Sequence, residues 1–325
     1  MTVTLIPGNT RVIYTAVQTG QGTAASTPSR KLELTADSLD PSRQLITLPE
    51  TDSTSQQPNP AVVGAQPGGT FSTWLRPNAL DQLFYALQGA KSTTGSGNLT
   101  HTLTPVSTQT FLTVWDVIPG VTTTKYVDCI VKSVTVSGQS GQGITAAWEI
   151  RALSALLGQT EPSTPTDFST DVAQTYPQVT VTRGGTHAGD VDAFSLTIDR
   201  GGQYFFGDNG LSAAAYAYGL YGVTGSATLA FQNDQELRAF NTGATNGTSL
   251  TTTLYSQSLD ILIAIDTNTS YDFASSGVTY TAFPVSIDTG GAPTTVAAAF
   301  QTKRQATWAN NMTVTVKNQN ASPAA

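Results

Sequence analysis

Apolar and polar residues alternate with a period of two along most of the chain, the signature of half-buried strands. In residues 134–150, VTVSGQSGQGITAAWEI, an alternating strand runs into a Gly-rich turn and a second strand that puts Ile144, Ala146, Trp148 and Ile150 on one face. Residues 285–301, VSIDTGGAPTTVAAAFQ, repeat that arrangement, with Val296, Ala298 and Phe300 on one face. The correspondence extends upstream in the same order. FLTVWDV (111–117) answers LDILIAI (259–265), PNALDQLFYALQG (77–89) answers NDQELRAFNTG (233–243), GTFSTWL (69–75) answers GSATLAF (225–231), and KLELTADSL (31–39) answers FSLTIDRGG (194–202). The chain reads as one β-rich unit written twice, which points to assembly rather than catalysis.

Period 3.6 surfaces clearly once. In Asn78–Gln88, Leu80, Leu83, Phe84 and Leu87 share a face, Pro77 and Asn78 give start signals, and Gly89 gives the stop. This predicts a helix lying across one side of the sheet. Leu237 and Phe240 predict a weaker counterpart in the second copy.

The same patterning divides the chain. Residues 1–29 carry one short apolar run, Val12–Tyr14, and read as an extended arm. Residues 30–158 form the first unit, 159–177 a Pro/Ser/Thr-rich linker, 178–318 the second unit, and 319–325 a flexible tail. Two long loops interrupt the units. Residues 40–68 hold five prolines and a short apolar stretch, Leu45–Leu48. Residues 201–225 crowd Tyr204, Phe205, Phe206, Tyr216, Tyr218 and Tyr221 into a Gly/Ala background, a density that suits an interface.

Composition narrows the function. Charged residues are only 11% of the chain, against about 25% in typical domains. Thr and Val suit sheet surfaces covered by other subunits. The net charge is −7 and no cationic run occurs, which argues against a protein that wraps or reads nucleic acid. Such a surface could still act as a non-stick wall for DNA. The single cysteine, Cys129, reads as a small core residue and permits no intrachain disulfide, consistent with a reducing compartment or a particle. The N-terminus lacks the features of a signal peptide, and no apolar run approaches membrane-helix length.

Chemistry-bearing motifs are weak. His101 and His187 are the only histidines and lack metal-ligand spacing. No G-x-S-x-G elbow occurs. Asp266–Asp272 resembles the start of a calcium loop but has Tyr271 where glycine is needed, so it reads as an Asx-rich hairpin turn. GQSGQG (138–143) joins two strands and carries no lysine, unlike a phosphate cradle. No cofactor and no enzymatic activity are expected. Two other classes compete: another virion or surface β protein, such as a capsid decoration or adhesin module, and a glycan-acting enzyme with two acids in one cleft.

The order KLELTADSLDPSRQLITL, long loop, GTFSTWL, then PNALDQLFYALQG, then YVDCIVKSVTVSG with its returning strand ITAAWEIRAL resembles the major tail tube proteins of long, non-contractile bacteriophage tails, across roughly residues 30–318. The resemblance implies a mainly β fold of two tandem β-sandwich or half-barrel units, each with one short flanking helix. It implies rings with a continuous inner β-barrel, stacked into a tube that conducts genomic DNA and has a commonly acidic lumen. Two copies per chain allow three chains with pseudo-sixfold symmetry, with six chains as the alternative. Implied partners are the chain itself, the tape measure protein during assembly, tail terminator and tail tip proteins, and double-stranded DNA passing non-specifically, with no membrane. The implied location is the virion tail, assembled in the host bacterial cytoplasm.

On that reading the lumen candidates are the polar parity of the strands: Glu33, Thr35, Ser133, Thr135, Thr145 and Glu149 in the first unit, and Ser195, Thr197, Ala297 and Gln301 in the second. The inter-ring or inter-subunit candidates are Leu45, Ile46, Leu48, Glu50 and Asp52, together with Tyr204, Phe205, Phe206, Tyr216, Tyr218 and Tyr221.

Overall fold

The structure is a computed structural model. It describes all residues except 1–9, 48–58, 164, 166–170, 188–190, 209, 233, 287–292, 304–310, 321–322 and 324–325. The chain is mainly β, as the alternation predicts. In order, its first half holds β1 (Val12–Val17), β2 (Arg30–Leu32), β3 (Ala36–Asp37), β4 (Arg43–Thr47), β5 (Pro60–Ala65), β6 (Gly68–Trp74), α1 (Asp81–Gln88), β7 (Gly89–Thr94), β8 (Leu99–Pro105), β9 (Leu112–Ile118), β10 (Thr122–Gln139), β11 (Thr145–Arg151) and β12 (Ser154–Leu156). The second half holds β13 (Val179–Arg183), β14 (Thr186–His187), β15 (Val191–Asp199), β16 (Gln203–Phe205), β17 (Ala215–Ala217), β18 (Gly222–Ala230), α2 (Gln235–Thr242), β19 (Gln257–Asp266), β20 (Thr269–Ala282), β21 (Val285–Ser286), β22 (Thr295–Thr302) and β23 (Thr313–Asn318).

Register shows how the halves resemble and join one another. In the first half β3 pairs with β6, β6 with β11, and β11 with the C-terminal part of β10. In the second, β15 pairs with β18, β18 with β22, and β22 with the C-terminal part of β20. The N-terminal parts of β10 and β20 turn away from these ladders and pair with β9 and β19. Finally β10 pairs with β15, Ser133 opposite Asp199 through Gln139 opposite Ala193. One antiparallel path of eight strands therefore crosses the whole molecule: β3, β6, β11, β10, β15, β18, β22, β20.

One face of this path is apolar. Val134 and Val136, Ile144 to Ile150 at alternate positions, Leu196, Ile198, Val296, Ala298 and Phe300 are all buried in a core that draws from both halves. The alternation read from 144–150 and 296–300 is realised as pleat parity.

Helix α1 fills the space behind that face. Seven of its eight residues are buried, and Phe84 meets Trp148 from the first half and Tyr271 and Phe273 from the second, with centroids 4.8, 5.1 and 5.6 Å away. Full burial of one such aromatic contributes about 1.5–3 kcal/mol. The helix starts at Asp81, later than the expected Asn78, because Asn78 is held outside it: its N–H donates to Asp171 Oδ2 at 2.8 Å. It stops at Gly89, whose φ of 91° is left-handed and whose N–H reaches Tyr85 O. A side chain there would meet Thr108 O at 2.8 Å. By contrast, α2 buries only Ala239.

Several segments are more firmly held than their composition suggests. Val12–Val17, expected in an arm, forms β1 between β2 and β9 because its residues are apolar or small on both faces. Gln174, in the expected linker, is buried and bonded to Leu75, Ile144 and Ile263. Asn320, in the expected flexible tail, is buried, and its amide donates to Asp81 Oδ2 and Asn78 O at 2.8 Å each. Asp81 also takes the Arg30 guanidinium at 3.2 Å. The β7–β8 hairpin of the first half adds to β23 of the second, so strands from both halves share one ladder.

Candidate functional site

The opposite face of the eight-stranded path is polar, and its rows can be read straight across. One row runs Ala36, Ser72, Ala147, Thr135, Thr197, Thr224, Gln301, Thr279. The next runs Trp74, Thr145, Ser137, Ser195, Ser226, Ala299. A third runs Gln139, Ala193, Thr228, Ala297. These three rows contain no ionisable side chain, only hydroxyls, small groups, two glutamines and Trp74. Hydroxyls bridge the strands: Thr135 and Thr197 lie 2.8 Å apart, Ser137 and Thr145 3.0 Å apart. Short β-branched and small residues fit a pleated surface.

Charge is confined to one rim. There Ser133, Glu149 and Asp199 share a row with Thr70 and Ser38, flanked by Lys132 and Arg151. Lys132 Nζ lies 3.0 Å from Glu149 Oε2, and Arg151 pairs with the other oxygen. Burial pushes the Glu149 carboxyl up, but the Lys132 hydrogen bond and the Arg151 and Lys132 charges outweigh it and hold the group below its ordinary value. Glu149 is thus a compensated anion.

The structure brings most lumen candidates together. Ser133, Thr135, Thr145, Glu149, Ser195, Thr197, Ala297 and Gln301 all stand on this face. Glu33 and Thr35 do not. Glu33 lies just past β2 and pairs with Arg76 at 3.1 Å, while Thr35 donates its N–H to Ser72 O at 2.8 Å. The chain bends between β2 and β3, so that Ala36 and Ser38 reach the polar rows and the parity extrapolated from Lys31–Leu34 does not apply. Ser137, Thr224 and Ser226 also belong to the rows and are not among the candidates, although they share the strand parity of those that are. Lys132 could not be read this way, because β10 is bulged between Val131 and Ser133.

The interface candidates separate into two groups. The β4–β5 hairpin projects, with Leu45, Ile46, Val62 and Val63 exposed. Leu48, Glu50 and Asp52 lie outside the described residues. Of the aromatics, Tyr204, Phe206, Tyr216 and Tyr218 turn inward around Ile130 and Leu153, and Tyr204 donates to Pro67 O at 2.7 Å. Tyr218 and Tyr221 stack against Arg200, at 4.7 and 5.5 Å from its guanidinium. Phe205 alone turns outward, 65% exposed. The two loops meet where Ala65 N–H donates to Leu211 O at 2.7 Å.

Other motifs resolve as structural. The Asp266–Asp272 segment is the β19–β20 turn, where Asn268 N–H donates to Asp266 Oδ1 at 2.7 Å. His101 is buried against Thr93, Asn318 and Asn320. Cys129 is fully buried, which raises its thiol well above the ordinary value. Among the described residues no group of three or more potential ligands gathers at a metal site, and no helix is long and apolar enough to cross a membrane.

No curated protein sequence matches the chain. A family model described as phage tail tube protein matches residues 8–302, nearly the whole length, and includes every strand of the eight-stranded path. The chain belongs to the phage tail tube protein family.

Proposed function

We propose that the uncharged rows line the bore of a ring of three chains, and that stacked rings conduct double-stranded DNA out of the virion. Family membership implies self-assembly into a tube and a place in the virion tail. The observation that carries the finer reading is the β10–β15 junction. It joins two similar four-strand ladders edge to edge, and the path ends in two further edges, β3 and the segment Thr279–Ser286. Joining the last edge of one chain to the first of the next repeats the junction already present, head to tail, until a ring closes.

Strand number limits how many chains fit. With strands about 4.8 Å apart and tilted about 40°, three chains of eight strands give a backbone radius of roughly 24 Å. Side chains reduce this to a bore roughly 35–40 Å across, wide enough for a hydrated duplex. Two chains would leave roughly half that bore, and six chains contributing eight strands each would double the radius. Two similar halves per chain then supply six near-equivalent positions.

A wall of hydroxyls suits passage. Phosphates bind clustered cations, and Lys132 and Arg151 at the rim are paired with Glu149. The exposed β4–β5 hairpin suits contact between rings. The tape measure protein, the tail terminator and tip proteins, and assembly in the host cytoplasm complete this reading. Electron microscopy of concentrated purified protein tests it: hollow tubes with three chains per disc are expected, and an absence of tubes, or discs of six chains, would refute it.

A further inference from the structure

The first strand of each four-strand ladder, β3 or β15, leads into a similar turn. An aspartate side chain caps each turn, Asp40 three residues past β3 and Asp199 at the end of β15: Ser42 N–H donates to Asp40 Oδ1 at 2.9 Å, and Gly201 N–H to Asp199 Oδ1 at 2.7 Å. Ser42 and Gly201 both have positive φ, 33° and 55°. Each turn leads into a hairpin, β4–β5 or β16–β17, and back to the neighbouring ladder strand, β6 or β18. An arginine accompanies each turn at a different place: Arg200 lies within its turn, where the other has Pro41, and Arg43 follows its turn as the first residue of β4.

Arg200 has a defined task. Its guanidinium donates to Leu87 O at 2.6 Å, Gln88 O at 2.5 Å and Val106 O at 2.5 Å, so it caps the C-terminal end of α1. Together with Tyr271 and Phe273 it brings the second half of the molecule over a flank of α1 that the first half leaves uncovered. Arg43 is exposed and makes no side-chain hydrogen bond or ion pair among the described residues.

Helix α2 follows β18 as α1 follows β6, and ends at left-handed Gly243, φ 73°. An ion pair fixes the start of both helices, Arg30–Asp81 for α1 and Arg183–Glu236 for α2. Only the outer covering differs. The loop after α2 exposes Leu250 and Leu254, at 81% and 67%. Its Thr251 supplies the present donors to Asn241 O and Thr242 O, and each carbonyl keeps a second lone pair.

We propose that the first half of a second copy of this chain covers this flank of α2, and that its Arg43 reaches the C-terminal carbonyls of α2 as Arg200 reaches those of α1. The proposal rests on the ring reading and assigns it a contact: an arginine-to-helix latch behind each strand junction, made once within each chain and once between chains. Charge and surface agree, since a helix C-terminus attracts a cation and two exposed leucines gain by being covered.

Two measurements test it. First, Arg43→Cys with Thr242→Cys is assembled into tubes and treated with a bis-maleimide about as long as an arginine side chain, because the latch holds the two backbones beyond disulfide reach. Covalent species of two or more chains are expected from the double variant and from neither single variant; Cys129 is buried and does not compete. Second, wild-type amide exchange over residues 235–256 is compared between monomer and tube. Slowing of about tenfold or more is expected. Tubes that yield no cross-linked species and leave these amides unprotected overturn the latch while leaving the ring intact. Protection without cross-links places a partner on α2 but removes Arg43 from the contact, and so overturns the latch as stated. Failure of wild-type protein to form tubes sinks the ring reading and the latch together.

Discussion

Replacing Arg200 by alanine should loosen the joint between the two halves. The residue is 2% exposed and has no carboxylate partner among the described residues; burial lowers its pKa. Its charge is met by three backbone carbonyls and the faces of Tyr218 and Tyr221. Charge-assisted hydrogen bonds contribute about 1.5–3 kcal/mol each, and each buried carbonyl left without a donor costs about 1–3 kcal/mol. Removing a buried cation also relieves its desolvation, which offsets part of the loss. The balance is a destabilisation of roughly 3–5 kcal/mol. For a chain of this length it corresponds to a fall in Tm of roughly 4–7 °C. Calorimetry of the unassembled protein would read the fall, and amide exchange at Leu87 and Gln88 would show whether the end of α1 frays first. Arg200→Lys keeps the charge but loses the planar fork, so an intermediate effect is expected. An alanine variant that melts within about 1 °C of wild type would refute the reasoning.

Three further outcomes follow from the same geometry. Burial, then the hydrogen bond and charge of Asp260, push the Asp272 carboxyl up to about 7 against the pull of Lys317. The folded state therefore holds a proton that the unfolded state releases near the ordinary 3.8, so stability falls as pH rises through that window. Asp272→Asn should raise Tm at about pH 8 and flatten the slope below it, and an unchanged pH profile would contradict this. Deleting Thr51–Asn59 should leave the circular dichroism and Tm of the subunit unchanged while abolishing tubes; normal tubes would remove the hairpin from ring stacking. Thr135→Lys with Thr197→Lys should slow DNA ejection at low salt and recover at high salt, and ejection indistinguishable from wild type would show that these rows do not face the DNA.

Alternation in 144–150 and 296–300 was enough to assign strands and their buried faces, because pleat parity is a local property. Gly89 marked the end of α1 for a similarly local reason. What could not be read depended on distant partners. Val12–Val17 looks like part of an arm until β2 and β9 are placed on either side of it. Tyr204, Tyr216 and Tyr218 have an interface composition, yet they close over Ile130 and Leu153, which lie far away in sequence. A bulge in β10 brought Lys132 to the rim, and a bend after Leu32 excluded Glu33 and Thr35 from the polar rows. Compensation of Glu149 by Lys132 and Arg151 is likewise a matter of register and has no signature along the chain.

The pairing of β8 with β23 has a consequence for biogenesis. A ribosome releases Leu99–Pro105 long before it makes Thr313–Asn318, so the β7–β8 hairpin must wait, one side unzipped, until that distant strand has emerged. Slow, sequence-distant closure of this kind delays folding and keeps the nascent polypeptide immature. Strand β23 thereby acts as a timer, and only a product that extends through it can present finished borders to its siblings.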